Sequence, residues 1–162
     1  MSELRPGPIH ADVASLQFLL GTWRGAGSGE YPTIEPFAYE EEMRFEHVGD
    51  AFLLYRQESW SPEDGAPIHF ERGFLRPGRP GRIELVLAHP IGLTEVSEGT
   101  LEGTTFELAS SSVARTSTGL DATALVRRYR VDGDEMTYET DMSTERTPMA
   151  LHLRAELHRS GL

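Results

Sequence analysis

Six side chains in the 162-residue sequence could ligate a metal as neutral nitrogen bases, and all are histidines: His10, His47, His69, His89, His152 and His158. Imidazole binds iron, zinc or copper through whichever ring nitrogen carries no proton. None of the six falls in an HxH or HExxH pattern, and no GxSxG elbow presents a nucleophilic serine. Cysteine is absent, which removes disulfides, thiolate nucleophiles and thiolate-held metals together. All 15 basic residues are arginine, so lysine Schiff bases are excluded, and GAGSG at 25–29 lacks the lysine and following helix of a phosphate-binding loop. The run Glu40-Glu41-Glu42 offers carboxylates. Neighbours on a strand point to opposite faces, so Glu40 and Glu42 share a face expected to be solvated. Glu41 falls with Tyr39 and Met43, where an enclosed carboxylate needs a partner such as an arginine.

The elements that must position these groups read as strands. Turn signals recur about every ten residues, among them VGD at 48–50, EDGAP at 63–67, RPGRPG at 76–81 and VDGDE at 131–135. Between them apolar residues alternate: Phe37, Tyr39, Met43 and Phe45 on one face, Ile83, Leu85 and Leu87 on another, Met136, Tyr138 and Met142 on a third. This predicts about ten strands, at 20–29, 36–48, 50–60, 67–76, 81–89, 92–100, 103–111, 121–131, 134–143 and 147–158. Val13, Leu16, Leu19 and Leu20, ending at Gly21, predict a short N-terminal helix. The expected fold is all-β, a single domain over 1–162 forming an antiparallel up-and-down β-barrel of about ten strands. A barrel of that size exceeds what side chains alone fill, so its interior has room for a ligand. Gly21, Gly25, Gly27 and Gly29 in the first strand suit a hard bend where the barrel closes, with close approach by another group as the second reading.

Alternation sets His152 opposite Leu151, Leu153, Ala155 and Leu157. In a small barrel that points it to water; around a wide, occupied interior the same parity could point it inward. Periodicity does not choose. The formal net charge of −11 disfavours nucleic acid, and no apolar run reaches the ~18 residues of a membrane span. The N-terminus does not read as a signal peptide, so a soluble cytoplasmic protein is expected.

Gly21-Thr22-Trp23-Arg24-Gly25-Ala26-Gly27 matches a GxWxGxG pattern, followed by YPTI at 31–34, FAYEEEMRF at 37–45, IHFERGFLR at 68–76, IELVLAHPIGLTEVSEG at 83–99 and HLRAELHR at 152–159. Together these resemble the nitrobindin family of small haem-binding β-barrels, over nearly the whole chain. Asp50-Ala51 departs from it, where relatives more often carry lysine and proline. The resemblance implies one haem b per chain with His152 as proximal iron ligand and Thr33 at the haem. It further implies isomerisation of peroxynitrite to nitrate, reversible nitric oxide binding and, in some cases, a homodimer. Phe37, Tyr39, Met43, Phe45 and Leu54 are candidate wall residues, and His69 and His89 candidate distal ones. The competing expectation is a haem-free barrel carrying a fatty acid or another apolar ligand, and a third is a barrel with a filled interior.

Overall fold

A computed structural model describes residues 7–161, so residues 1–6 and 162 of the predicted domain lie outside the described residues. All ten predicted strands are present: β1 (Gly21–Tyr31), β2 (Ile34–His47), β3 (Leu53–Trp60), β4 (Pro67–Pro77), β5 (Arg82–His89), β6 (Leu93–Glu102), β7 (Thr105–Arg115), β8 (Ala122–Asp132), β9 (Glu135–Thr144) and β10 (Ala150–Gly161). Each pairs antiparallel with its sequence neighbours, and β1 pairs with β10 to close the barrel. Closure leaves no strand edge free to recruit another chain. Two of the two-residue hairpins, β6–β7 and β8–β9, turn on glycines that L-residues replace poorly, Gly103 and Gly133, both at φ 61°.

The N-terminal helix spans Ala11–Leu19 and is a 3-10 helix. Its buried residues, Val13, Leu16 and Leu19, fall three apart, and a helix of three residues per turn stacks such positions on one face. Leu20 therefore ends the helix rather than continuing its apolar stripe. His10 caps the start, its Nδ1 accepting from the Asp12 amide at 3.1 Å. The helix packs into the main core beside Trp23, whose indole donates to the Leu19 carbonyl at 2.8 Å. Arg159, near the end of β10, lies 4.3 Å over the Trp23 ring and donates to the Phe18 and Leu20 carbonyls. Both ends of the described chain are thereby tied to one another.

Strand alternation turns the expected residues inward, with one exception. Leu54 lies on the outer face, between inward-pointing Leu53 and Tyr55, and is no wall residue. Phe45 packs in the core against Tyr55, with ring centroids 5.1 Å apart. The outer face also departs from expectation at Glu42, which is 4% exposed rather than solvated. Arg24 (2.5 Å), Arg44 (2.6 Å) and Arg56 (3.6 Å) cover its carboxylate from three neighbouring strands. Burial raises its pKa, but Arg44 and Arg24 outweigh that and leave it below the usual range.

Trp23, Gly25, Gly27, Gly29 and Tyr31 share the inward face of β1. A Cβ at Gly25 would strike the β10 backbone at Glu156 and Leu157, so the two closing strands come unusually near there. At Gly27 it would strike the Tyr39 ring, and at Gly29 the Phe37 ring. The glycines thus serve close approach as well as closure: two of them make room for aromatic rings laid across the backbone from β2.

Candidate active site

His152 is the residue whose direction the sequence left open, and a β-bulge decides it. In the β10–β9 ladder Leu151 pairs with Asp141 and Leu153 with Thr140, so His152 is an extra residue with no partner of its own. One added residue inverts the alternation beyond it. Leu153, Ala155 and Leu157 face inward above the bulge; His152 joins them, lining an interior cavity of about 250 Å³. Its Nδ1 lies 3.1 Å from the Glu30 carbonyl on β1. A carbonyl only accepts, so Nδ1 carries the proton and Nε2 keeps its lone pair. The ring stands edge-on to Tyr31, with centroids 5.3 Å apart, and the Tyr31 hydroxyl donates to the Met142 carbonyl at 3.0 Å. Burial lowers the His152 pKa, with His69 adding to that and the Glu30 hydrogen bond opposing it. The imidazole is therefore neutral at pH 7 and available as a Lewis base.

Phe37, Tyr39, Met43, Met142 and Leu153 form apolar wall around it. Thr33 sits in the exposed β1–β2 turn, two residues from Tyr31, and is not among the cavity-lining residues. Of the GxWxGxG residues, Gly27 and Trp23 act indirectly, one beneath cavity-lining Tyr39 and the other in the core. Of the remaining histidines, His10 caps the helix and His158 lies exposed 3.9 Å from Glu135. His47 lies at the end of β2, and none of these three lines the cavity.

Opposing this wall is a belt of buried charge. Arg127 on β8 donates to Glu71 on β4 at 2.9 and 3.2 Å, and to Glu95 on β6 at 2.8 and 3.0 Å. Burial alone would raise both carboxyls, but Arg127 outweighs it, holding Glu71 well below the usual range and Glu95 at about 2. Tyr55 also donates to Glu71 (2.7 Å), and Ser97 to Glu95 (2.7 Å). His89 bridges the belt to the cavity: Nε2 is 3.1 Å from Glu95, while Nδ1 is 3.3 Å from His69 Nε2. Both histidines line the cavity, as do Glu71 and Arg127.

Glu41 lies apart from this belt, and among the described residues no arginine meets it. Tyr138 donates to it at 2.5 Å and Gln57 at 2.8 Å, with Tyr39 and Tyr138 hydroxyls 2.7 Å apart behind. Burial dominates and pushes the Glu41 pKa up to about 7, against the pull of those two donors. Glu71, Glu95 and Arg127 were missed from sequence. For two of them a signal exists: Glu95 and Arg127 each lie two residues from an inward apolar residue, in Leu93-Thr94-Glu95 and Leu125-Val126-Arg127, whereas Glu71 lies between His69 and Gly73 and carries no such mark.

The profile of the THAP4-like, heme-binding beta-barrel domain family matches residues 12–159. The chain belongs to this family. It is 47% identical over 158 residues to peroxynitrite isomerase 1 of Mycolicibacterium paratuberculosis, covering 95% of this chain and 98% of that one. It is 49% identical over 154 residues to peroxynitrite isomerase 1 of Mycobacterium tuberculosis, covering 91% and 94% respectively. The crystal structure of Rv2717c from M. tuberculosis superposes with a TM-score of 0.88 at 46% identity, over 94% of this chain and 99% of that one. For a member of a haem-binding family the donor set fits: one neutral imidazole with a free Nε2, set in an aromatic and aliphatic wall.

Proposed function

We propose that the chain binds one haem b through His152 Nε2 and isomerises peroxynitrite to nitrate in this cavity. The His152 geometry carries the reading: the bulge turns the ring inward, the Glu30 carbonyl fixes its tautomer, and burial keeps it neutral. The haem-binding family and the names of the relatives support it. Held by His152, a haem would supply the iron chemistry of the isomerisation. The chain contributes orientation through Glu30 and Tyr31, and water exclusion through Phe37, Tyr39, Met142 and Leu153. The reaction is an isomerisation, so no proton or electron has to be delivered. Reversible nitric oxide binding belongs to the same reading, because His152 is the one residue that would hold the haem iron and the cavity would leave room for a small ligand. Thr33, in the turn that follows Tyr31, belongs to the same reading as a haem contact.

The same reading has the protein acting in the cytoplasm; among the described residues no helix is long and apolar enough to cross a membrane. A homodimer finds support in an outer stripe of exposed Phe74, Val86 and Val96, which are paired across β4, β5 and β6.

The test is product analysis. Haem-loaded wild type mixed with peroxynitrite accelerates its decay and raises nitrate at the expense of nitrite, and His152→Ala returns both to the values of buffer. Equal decay and product ratio with haem-free protein would overturn the assignment in favour of an apolar carrier.

A further inference from the structure

His69, Glu71 and His89 do more than line the cavity. Their ligand-type atoms form a nearly equilateral triangle: His69 Nε2 to Glu71 Oε2 is 3.2 Å, His69 Nε2 to His89 Nδ1 is 3.3 Å, and His89 Nδ1 to Glu71 Oε2 is 3.4 Å. Three ligands about 2.0–2.1 Å from a tetrahedral ion stand roughly 3.3–3.4 Å apart. We propose that these three side chains form a second metal site, for a divalent transition-metal ion of the zinc type, with its open position toward the cavity.

Three observations besides the triangle support it. The first is the tautomers. Glu95 accepts a hydrogen bond from His89 Nε2–H, which leaves Nδ1 a lone pair directed at the triangle. A carboxylate behind a ligating imidazole is the usual outer partner of a zinc site, and it fixes the ring and raises its basicity. The second is charge. Glu71 and Glu95 together carry two negative charges against the single positive charge of Arg127, so the buried cluster is one cation short. The third is hydrogen-bond satisfaction. With His89 Nε2–H committed to Glu95, the only neutral-state proton left in the triangle is the one on His69 Nε2. It must serve Glu71 and His89 at once. An ion at the centre meets all three lone pairs once that proton moves from His69 Nε2 to Nδ1, so the imidazole stays neutral as it ligates. Tyr55 and Arg127 Nη1 hold Glu71 Oε1, while Oε2, which accepts only the longer 3.2 Å bond from Arg127 Nη2, faces both histidines and keeps a lone pair for the ion.

The site has two histidines and one carboxylate from adjacent strands, β4 and β5, leaving a coordination position for a small anion or water. It does not rest on haem: His152 belongs to β10 and to a separate hydrogen-bond system.

Zinc titration by calorimetry tests it, on the full chain both haem-free and haem-loaded. Wild type binds one Zn²⁺ per chain in both forms, and so does His158→Ala, which alters an exposed histidine outside the cavity. His69→Ala, at a half-buried position expected to fold normally, weakens binding by more than the 10–100-fold typical of losing an outer partner alone. His89→Ala does the same, with circular dichroism to verify its fold. Cobalt in the haem-free protein gives the strong visible absorption of a tetrahedral site. Absence of saturable zinc binding in wild type would overturn the proposal, as would zinc binding unchanged by His69→Ala. Since the haem-free chain is titrated separately, failure of haem to bind His152 would show as loss of haem without loss of zinc.

Discussion

His152 and Glu41 show what burial does to two groups of opposite charge type. Enclosure disfavours the charged form of each, so it keeps the imidazole neutral and the carboxyl protonated to higher pH. For Glu41 the consequence for stability has a definite sign. The unfolded carboxyl releases its proton near pH 4.5 and the folded one near 7, so between these values the folded state holds the extra proton. Stability contributed by this group therefore falls as pH rises across that window, by roughly 3 kcal/mol in total. Glu41→Gln removes the dependence. Gln57 Oε1 is buried without a partner among the described residues, and a flip of that amide lets it accept from the new side chain. The difference in thermal midpoint between Glu41→Gln and wild type should grow in the variant's favour from pH 5 to pH 8. A constant difference would mean that Glu41 is ionised throughout.

At the level of elements, the bulge in β10 converts a surface position into a cavity position. Deleting Leu151 restores regular pairing and leaves the histidine on the outer face beside inward-facing Leu153. The expected outcome is a folded barrel, with β-type circular dichroism, that no longer binds haem in a defined spectral form. Retention of wild-type haem absorption would show that the bulge does not aim the ring. The strands themselves were legible from alternation because most inward positions are apolar, and their turns carry glycine or proline. The bulge was not legible, since Leu151-His152-Leu153 contains neither residue to mark it. The charge belt was hidden for the converse reason. In β6 the inward residues are Leu93, Glu95 and Ser97, while Val96 is exposed, so polarity there runs against the rule. What reverses it is Arg127, three-dimensionally opposite though 32 residues away, which neutralises Glu95. Glycines 27 and 29 were legible as special, but the aromatic rings that occupy their space come from the next strand and were not.

Across the whole molecule, closure, the helix and the belt divide the interior. One apolar cluster around the helix and Trp23 fills much of the barrel, and a smaller one of Tyr31, Leu93, Ala122, Leu125 and Met142 lies apart from it. The cavity draws its lining from both clusters and from the charged residues Glu71 and Arg127, which cross-link β4 and β8 through the interior. Breaking such a buried pair from one side costs about 3–5 kcal/mol, so the belt gives the cavity a stiff floor. A rigid cavity lined by His152 with its Nε2 free is what the family assignment and the proposed reaction share, and haemin titration of the intact protein followed by absorption tests it most directly. The account predicts a sharp ferric Soret band that saturates at one haem per chain and is lost or shifted in His152→Ala. A broad band, identical in both proteins and without a stoichiometric end point, would contradict it.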